Sequence, residues 1–197
     1  MYFSHSTFAA ILALVAVVVP ARADITAGLK ALSAGDFVLA DKELRADAES
    51  GNNRAQVLLA RALRDARNPA RDLKEAYAWF ARAAEAGNPE GRLWAGLMAQ
   101  RGEGTAKDSD AAVKWWRQAA EAGYPPAMGM LASAYLGGQG LEKDMVEAVR
   151  WARSGAVKND VISQSILGRA YLDGGGGLAR DIGQALQWTR LAAARGE

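Results

Sequence analysis

The chain has 197 residues, 50% hydrophobic and 23% charged, with 24 basic against 22 acidic side chains, no cysteine and one histidine. That length supports one or two domains around a sizeable core, and the near-neutral charge argues against a nucleic-acid binder held by net positive charge. The lack of cysteine excludes disulfides, thiolate nucleophiles, Cys-ligated zinc, iron–sulfur clusters and lipids attached through Cys.

The first element is an unbroken apolar run of 12 residues, Phe8 to Val19. It falls short of the roughly 20 residues that span a bilayer and has the length of a signal-peptide core. Pro20 ends it, and Ala21-Arg22-Ala23 supplies a small-x-small cleavage pattern. The leader lacks Lys and Arg, so its positive end rests on the α-amine and His5. Residues 1–23 are expected to be a signal peptide, the alternatives being a retained N-terminal membrane anchor or a misassigned start codon. Cleavage places the mature protein in the periplasm or outside the cell, starts it at Asp24, and leaves it without histidine or a stable membrane anchor.

From there the chain repeats itself. Trp79, Trp115, Trp151 and Trp188 recur at steps of 36, 36 and 37 residues. Asp36, Asp72, Asp108, Asp144 and Asp181 keep that phase, as do Ala40, Ala76, Ala112, Ala148 and Ala185. Ala48, Ala84, Ala120, Ala156 and Ala193 form another column, and Gly51, Gly87, Gly123, Asn159 and Gly196 close the period. The units are residues 24–51 (divergent, with a short opening helix, Ile25 to Ser33), 52–87, 88–123, 124–159 and 160–197.

Each unit reads as two helices. In the second helix, Ala76, Trp79, Phe80, Ala83 and Ala84 form one stripe at i, i+3, i+4, i+7 and i+8. The Trp column is expected to be buried, with Trp116 semi-buried beside it. The preceding Asp is placed as an N-cap, and Glu75, Glu147 and Gln184 sit where a capping box puts its second partner. Gly or Asn at the far end suits a left-handed C′ residue. In the first helix, Ala60, Gly96, Ala132 and Gly168 form a small-residue column that admits close helix approach. Gly102-Glu103-Gly104, Gly138-Gln139-Gly140 and Gly174-Gly175-Gly176 are turns, replaced in the first full repeat by Asn68 and Pro69.

The pattern L-G/A-x-x-Y-x-x-G-x-G-x-x-x-D-x-x-x-A-x-x-W-x-x-x-A-A-x-x-G is clearest from Leu131 to Asn159 and from Leu167 to Gly196. It resembles the Sel1-like repeat family, relatives of tetratricopeptide repeats. The resemblance implies an all-α, right-handed α/α solenoid over residues 24–197. It also implies a non-enzymatic protein–protein interaction scaffold or adaptor of the cell envelope. A periplasmic regulator of a membrane sensor kinase is a second implied role, and an envelope hydrolase a third.

The chemistry agrees with a binding role. The Gly-rich turns lack the Gly-Lys-Ser/Thr of a phosphate loop. The five aspartates are spaced one per repeat, which suits capping and not convergence on one bond. Without mature His or Cys there is no Ser-His-Asp triad or Cys nucleophile, and no zinc, other metal or cofactor is expected. By analogy with tetratricopeptide repeats, the first helices line the concave surface. Arg54, Arg61 and Arg64 share one side of a first helix, and Arg169 stands at the position of Arg61. With Arg101, off-column Trp94 and apolar Leu93 and Leu97, they form a candidate basic groove for an acidic, extended segment of a partner protein. Leu186 and Leu191 give an apolar C-terminal end face, expected to meet a partner or a second copy.

Overall fold

The computed structural model describes residues 25–196, which form ten α-helices and no strand. The opening pair is α1 (Ile25–Ala34) and α2 (Phe37–Glu49). Four longer pairs follow: α3 (Asn53–Arg64) with α4 (Leu73–Glu85), and α5 (Pro89–Arg101) with α6 (Ser109–Glu121). Next come α7 (Pro125–Gly137) with α8 (Met145–Ala156), and α9 (Val161–Asp173) with α10 (Ile182–Gly196). Each helix packs on its predecessor and successor, the arrangement of a solenoid. First helices also touch one another, α1 with α3, α3 with α5 and α7 with α9, and no pair of second helices touches to that extent. The first helices therefore line the tighter, inner face. The expected signal peptide lies outside the described residues.

All five aspartates cap second helices. The Asp36, Asp72, Asp108 and Asp181 carboxylates accept from Leu39, Glu75, Ala111 and Gln184 N–H, and Asp144 accepts from both Val146 and Glu147. Each satisfies a donor that the first helical turn leaves unpaired. The capping box does not form. The N–H it needs is donated backwards into the preceding first helix: Asp72 to Leu63, Asp144 to Tyr135 and Asp181 to Tyr171 carbonyls. The glutamates turn elsewhere. Glu75 accepts from Arg45 at 2.8 Å and from the Trp79 indole at 3.1 Å, and Glu147 is held by Arg150.

Two further columns satisfy helix ends. Asn52, Asn88 and Asp160 cap the first helices through their side chains, whereas Tyr124 makes no such bond and is followed by Pro125. Gln56, Arg92 and Gln164 donate to the Ala48, Ala84 and Ala156 carbonyls, closing the second helix of the preceding repeat. One alanine column thus supplies buried methyls and carbonyls that the next repeat completes.

The turn glycines dock neighbouring repeats. Gly104 and Gly140 have φ of +72°, and a Cβ on either would collide with the Leu73 or Ser109 carbonyl at the start of the preceding second helix. Gly176 packs the same way on Met145 and Val149. In the first full repeat Asn68 occupies this place, buried, donating Nδ2 to the Ala62 carbonyl at 2.9 Å.

The expected burial of the aromatic columns is corrected. Trp79 and Trp151 are buried, but Trp115 and Trp188 are only half-buried, and Trp116 is almost fully enclosed, at 1% exposure. The column holding Phe80, Trp116 and Ala152 faces the small residue of its own repeat's first helix. Trp116 lies over Gly96, where no side chain intervenes, and donates Nε1 to the Leu93 carbonyl at 3.3 Å. The stripe spans two columns: Phe80, Trp116 and Ala152, wedged between both helices of the pair, are at most 1% exposed, whereas the Trp79 column ranges from buried to half-buried.

Candidate functional site

An open cleft on the inner face lies where α1, α3 and α5 converge. Arg61 and Arg64 are one helical turn apart on α3, so they project to one side. With Leu58 of α3, Trp94 of α5, and Leu29 and Leu32 of α1, they line an open cleft of about 590 Å³. Glu90, Asp65 and Arg67 complete its rim.

Arg64 is half-buried against Trp94, its guanidinium carbon 3.9 Å from the ring centre. Trp94 is held from below by Phe80, with 5.9 Å between ring centroids. A cation on an indole face is stabilised by about 0.5–2 kcal/mol. The Arg64 Nε is buried and has no hydrogen-bond partner. Burial pushes its pKa down from the ordinary value, with Glu103 opposing and Arg101, Arg61 and Arg71 adding to the push. The other cations are engaged. Arg61 lies 3.8 Å from Glu90, and Arg67 bonds both Asp65 oxygens, at 3.0 and 2.8 Å. That fork lowers the Asp65 pKa to about 2.

The remaining proposed groove residues do not all meet here. Arg54 is exposed but outside the cleft, because it lies at the opposite end of α3. Leu93 is a core residue at 8% exposure, and Leu97 is half-buried against the same cluster; neither lines the cleft. Arg101 is exposed and paired with Glu103 at 3.5 Å. Arg169 is two or more repeats away, paired with Asp173 at 3.3 Å, beside a separate apolar cleft of about 280 Å³ between α7, α8 and α9. Leu29 and Leu32 were missed, since the divergent opening helix matches no later repeat in sequence. Another column was legible but unread: Leu58, Trp94, Met130 and Ile166 keep the 36-residue step. Leu58 is buried and the others are partly buried along the inner face. Among the described residues, no group of three or more His, Cys, Asp or Glu is placed to hold a metal. No described helix is long and apolar enough to cross a membrane.

The Sel1 repeat profile matches residues 53–88, 89–124, 125–160 and 161–197. The chain belongs to the Sel1 repeat family. These Sel1 repeats resemble c5321, described as a protective antigen of uropathogenic Escherichia coli with an SLR fold, at 35% identity and a TM-score of 0.73. That match covers 79% of this chain, which spans only 33% of the E. coli protein's length. A Sel1 repeat protein from Oxalobacter formigenes matches with a TM-score of 0.78 at 28% identity, over 88% of this chain and 71% of its own. No curated protein matches the chain. Sel1 repeats generally serve as scaffolds for protein–protein interaction and are typically non-enzymatic.

Proposed function

We propose that this chain is an exported, non-enzymatic adaptor that holds an extended segment of a partner protein against its inner face. The observation that carries this reading is the open cleft of Arg61, Arg64 and Trp94, continued along the face by partly buried Met130 and Ile166. A row of half-covered apolar groups, Trp94, Met130 and Ile166 in three successive repeats, suits an extended chain that contacts each of them in turn. Export rests on the Phe8 to Val19 run and the Ala21-Arg22-Ala23 pattern. Envelope fractions should therefore contain a chain beginning at Asp24, as read by terminal sequencing; a cytosolic chain keeping residues 1–23 removes the export claim. A photo-crosslinking residue at Met130, on the inner face, should give a partner adduct in cells. The same group at Lys114, exposed on α6, should not. Adducts from Lys114 alone would move the binding surface to the second helices.

A further inference from the structure

Four arginines near the inner face differ in one respect. Arg61 is met by Glu90, Arg67 by Asp65, and Arg101 by Glu103. Arg64 has no carboxylate partner among the described residues, and its Nε is buried without an acceptor. Its flat face is already covered by Trp94, so what it offers is the edge of the guanidinium, the fork that matches a carboxylate. The cleft holds three arginines against two carboxylates, leaving one positive charge uncompensated. Beside that charge the wall is apolar: Leu29, Leu32 and Leu58.

We propose that Arg64, stacked on Trp94, anchors one Asp or Glu side chain of an extended partner segment, with an aliphatic neighbour seated among Leu29, Leu32 and Leu58. This rests on the scaffold reading above and adds the chemistry of the contact. The guanidinium is held in one orientation before binding, so little rotamer freedom is lost when the carboxylate arrives. The half-buried setting weakens competition from water and makes a charge-assisted bond stronger than at the open surface. A side-chain carboxylate fits better than a chain terminus, because the partly buried apolar residues Met130 and Ile166 continue the face beyond the cleft and a bound segment runs on past the anchor.

The test is selection of random nonapeptides, acetylated and amidated at their ends, on protein purified from cells that express all 197 residues. Enriched peptides should carry one Asp or Glu beside Leu, Ile, Val or Met. Changing that acid to its amide should weaken binding about tenfold or more, the worth of a charge-assisted hydrogen bond. This arm leaves the protein unaltered, so it does not depend on any variant folding. Arg64→Gln should cause a similar loss and abolish the difference between acid and amide, whereas Arg61→Gln should retain that difference. Peptides that bind Arg64→Gln as tightly as the parent, or that share no acid, overturn the anchor and leave the scaffold reading standing. Failure to enrich any peptide overturns both. Binding of inorganic phosphate in place of peptides, with the same dependence on Arg64, would reassign the cleft to a small anion.

Discussion

At the scale of single residues, space left by a neighbour decides how much a side chain contributes. Trp116 and Trp115 are adjacent, yet Trp116 is sealed over Gly96 and Trp115 is half-buried. Trp116→Ala should lose about 3–5 kcal/mol of stability, and it also leaves the Leu93 carbonyl without its indole donor. Trp115→Ala should cost clearly less. Urea unfolding of the two variants compares them directly, and equal losses would mean that Trp115 is packed as tightly as Trp116. Charge follows a similar logic at the cleft rim. Hydrogen bonding to Arg67 holds the folded Asp65 carboxyl at about 2, below its ordinary 3.8. A depressed carboxylate stabilises the fold fully above its unfolded value, and that contribution disappears as pH falls through the folded one. Carbon-detected titration should give an Asp65 midpoint near 2, and Arg67→Ala should return it towards 3.8.

At the scale of helices, the ends carry the specificity of the repeat. Second helices start at an Asp whose side chain accepts from the first turn, and whose own N–H reaches back to the previous helix. Asp144→Ala should therefore cost about 0.5–2 kcal/mol. Glu147→Ala, which removes only its helix-surface ion pair with Arg150, should cost about 0.3–0.5 kcal/mol. Denaturation midpoints of both variants distinguish this arrangement from a capping box, in which the two losses would be comparable. Much of this was legible: the five aspartates, the positive φ of Gly51, Gly87, Gly123 and Asn159, and the short opening helix all stand where the spacing puts them. The reciprocal cap was illegible because its donor is claimed across a turn, by a carbonyl of another helix.

Across the whole molecule, stability passes from repeat to repeat through small docking points. Arg45 on α2 bonds Asp41 at 2.5 Å and Glu75 on α4 at 2.8 Å, a bridge between the opening pair and the next. Gly140 brings the loop after α7 onto the start of α6, while Gly123 has nothing within 4 Å of the place a Cβ would take. Both have positive φ, +72° and +88°, so alanine costs roughly 1–2 kcal/mol at either position. Gly140→Ala must also displace the Ser109 carbonyl and should lose more. Hydrogen exchange should show that loss in α6 and α7 together, since neighbouring repeats are coupled. A loss equal to that of Gly123→Ala would mean that the loop merely turns the chain. In α10 the converse holds: Leu186 stands in the column of buried Val113 and Val149, and it is 48% exposed.

The sequence by itself determined the number and phase of the repeats, the caps of the second helices and the family, because each depends on residues within a few turns or on a fixed period. It also marked Arg61, Arg64 and Trp94 as worth attention. Only the tertiary structure decided that these three meet, that Arg54 and Leu93 stand apart, and that Leu29 and Leu32 close the cleft. Those outcomes depend on how helices α1, α3 and α5 lie against one another. Periodicity sets which side of a helix a residue occupies; the crossing of helices sets what that side faces, and hence which arginine is left without a partner.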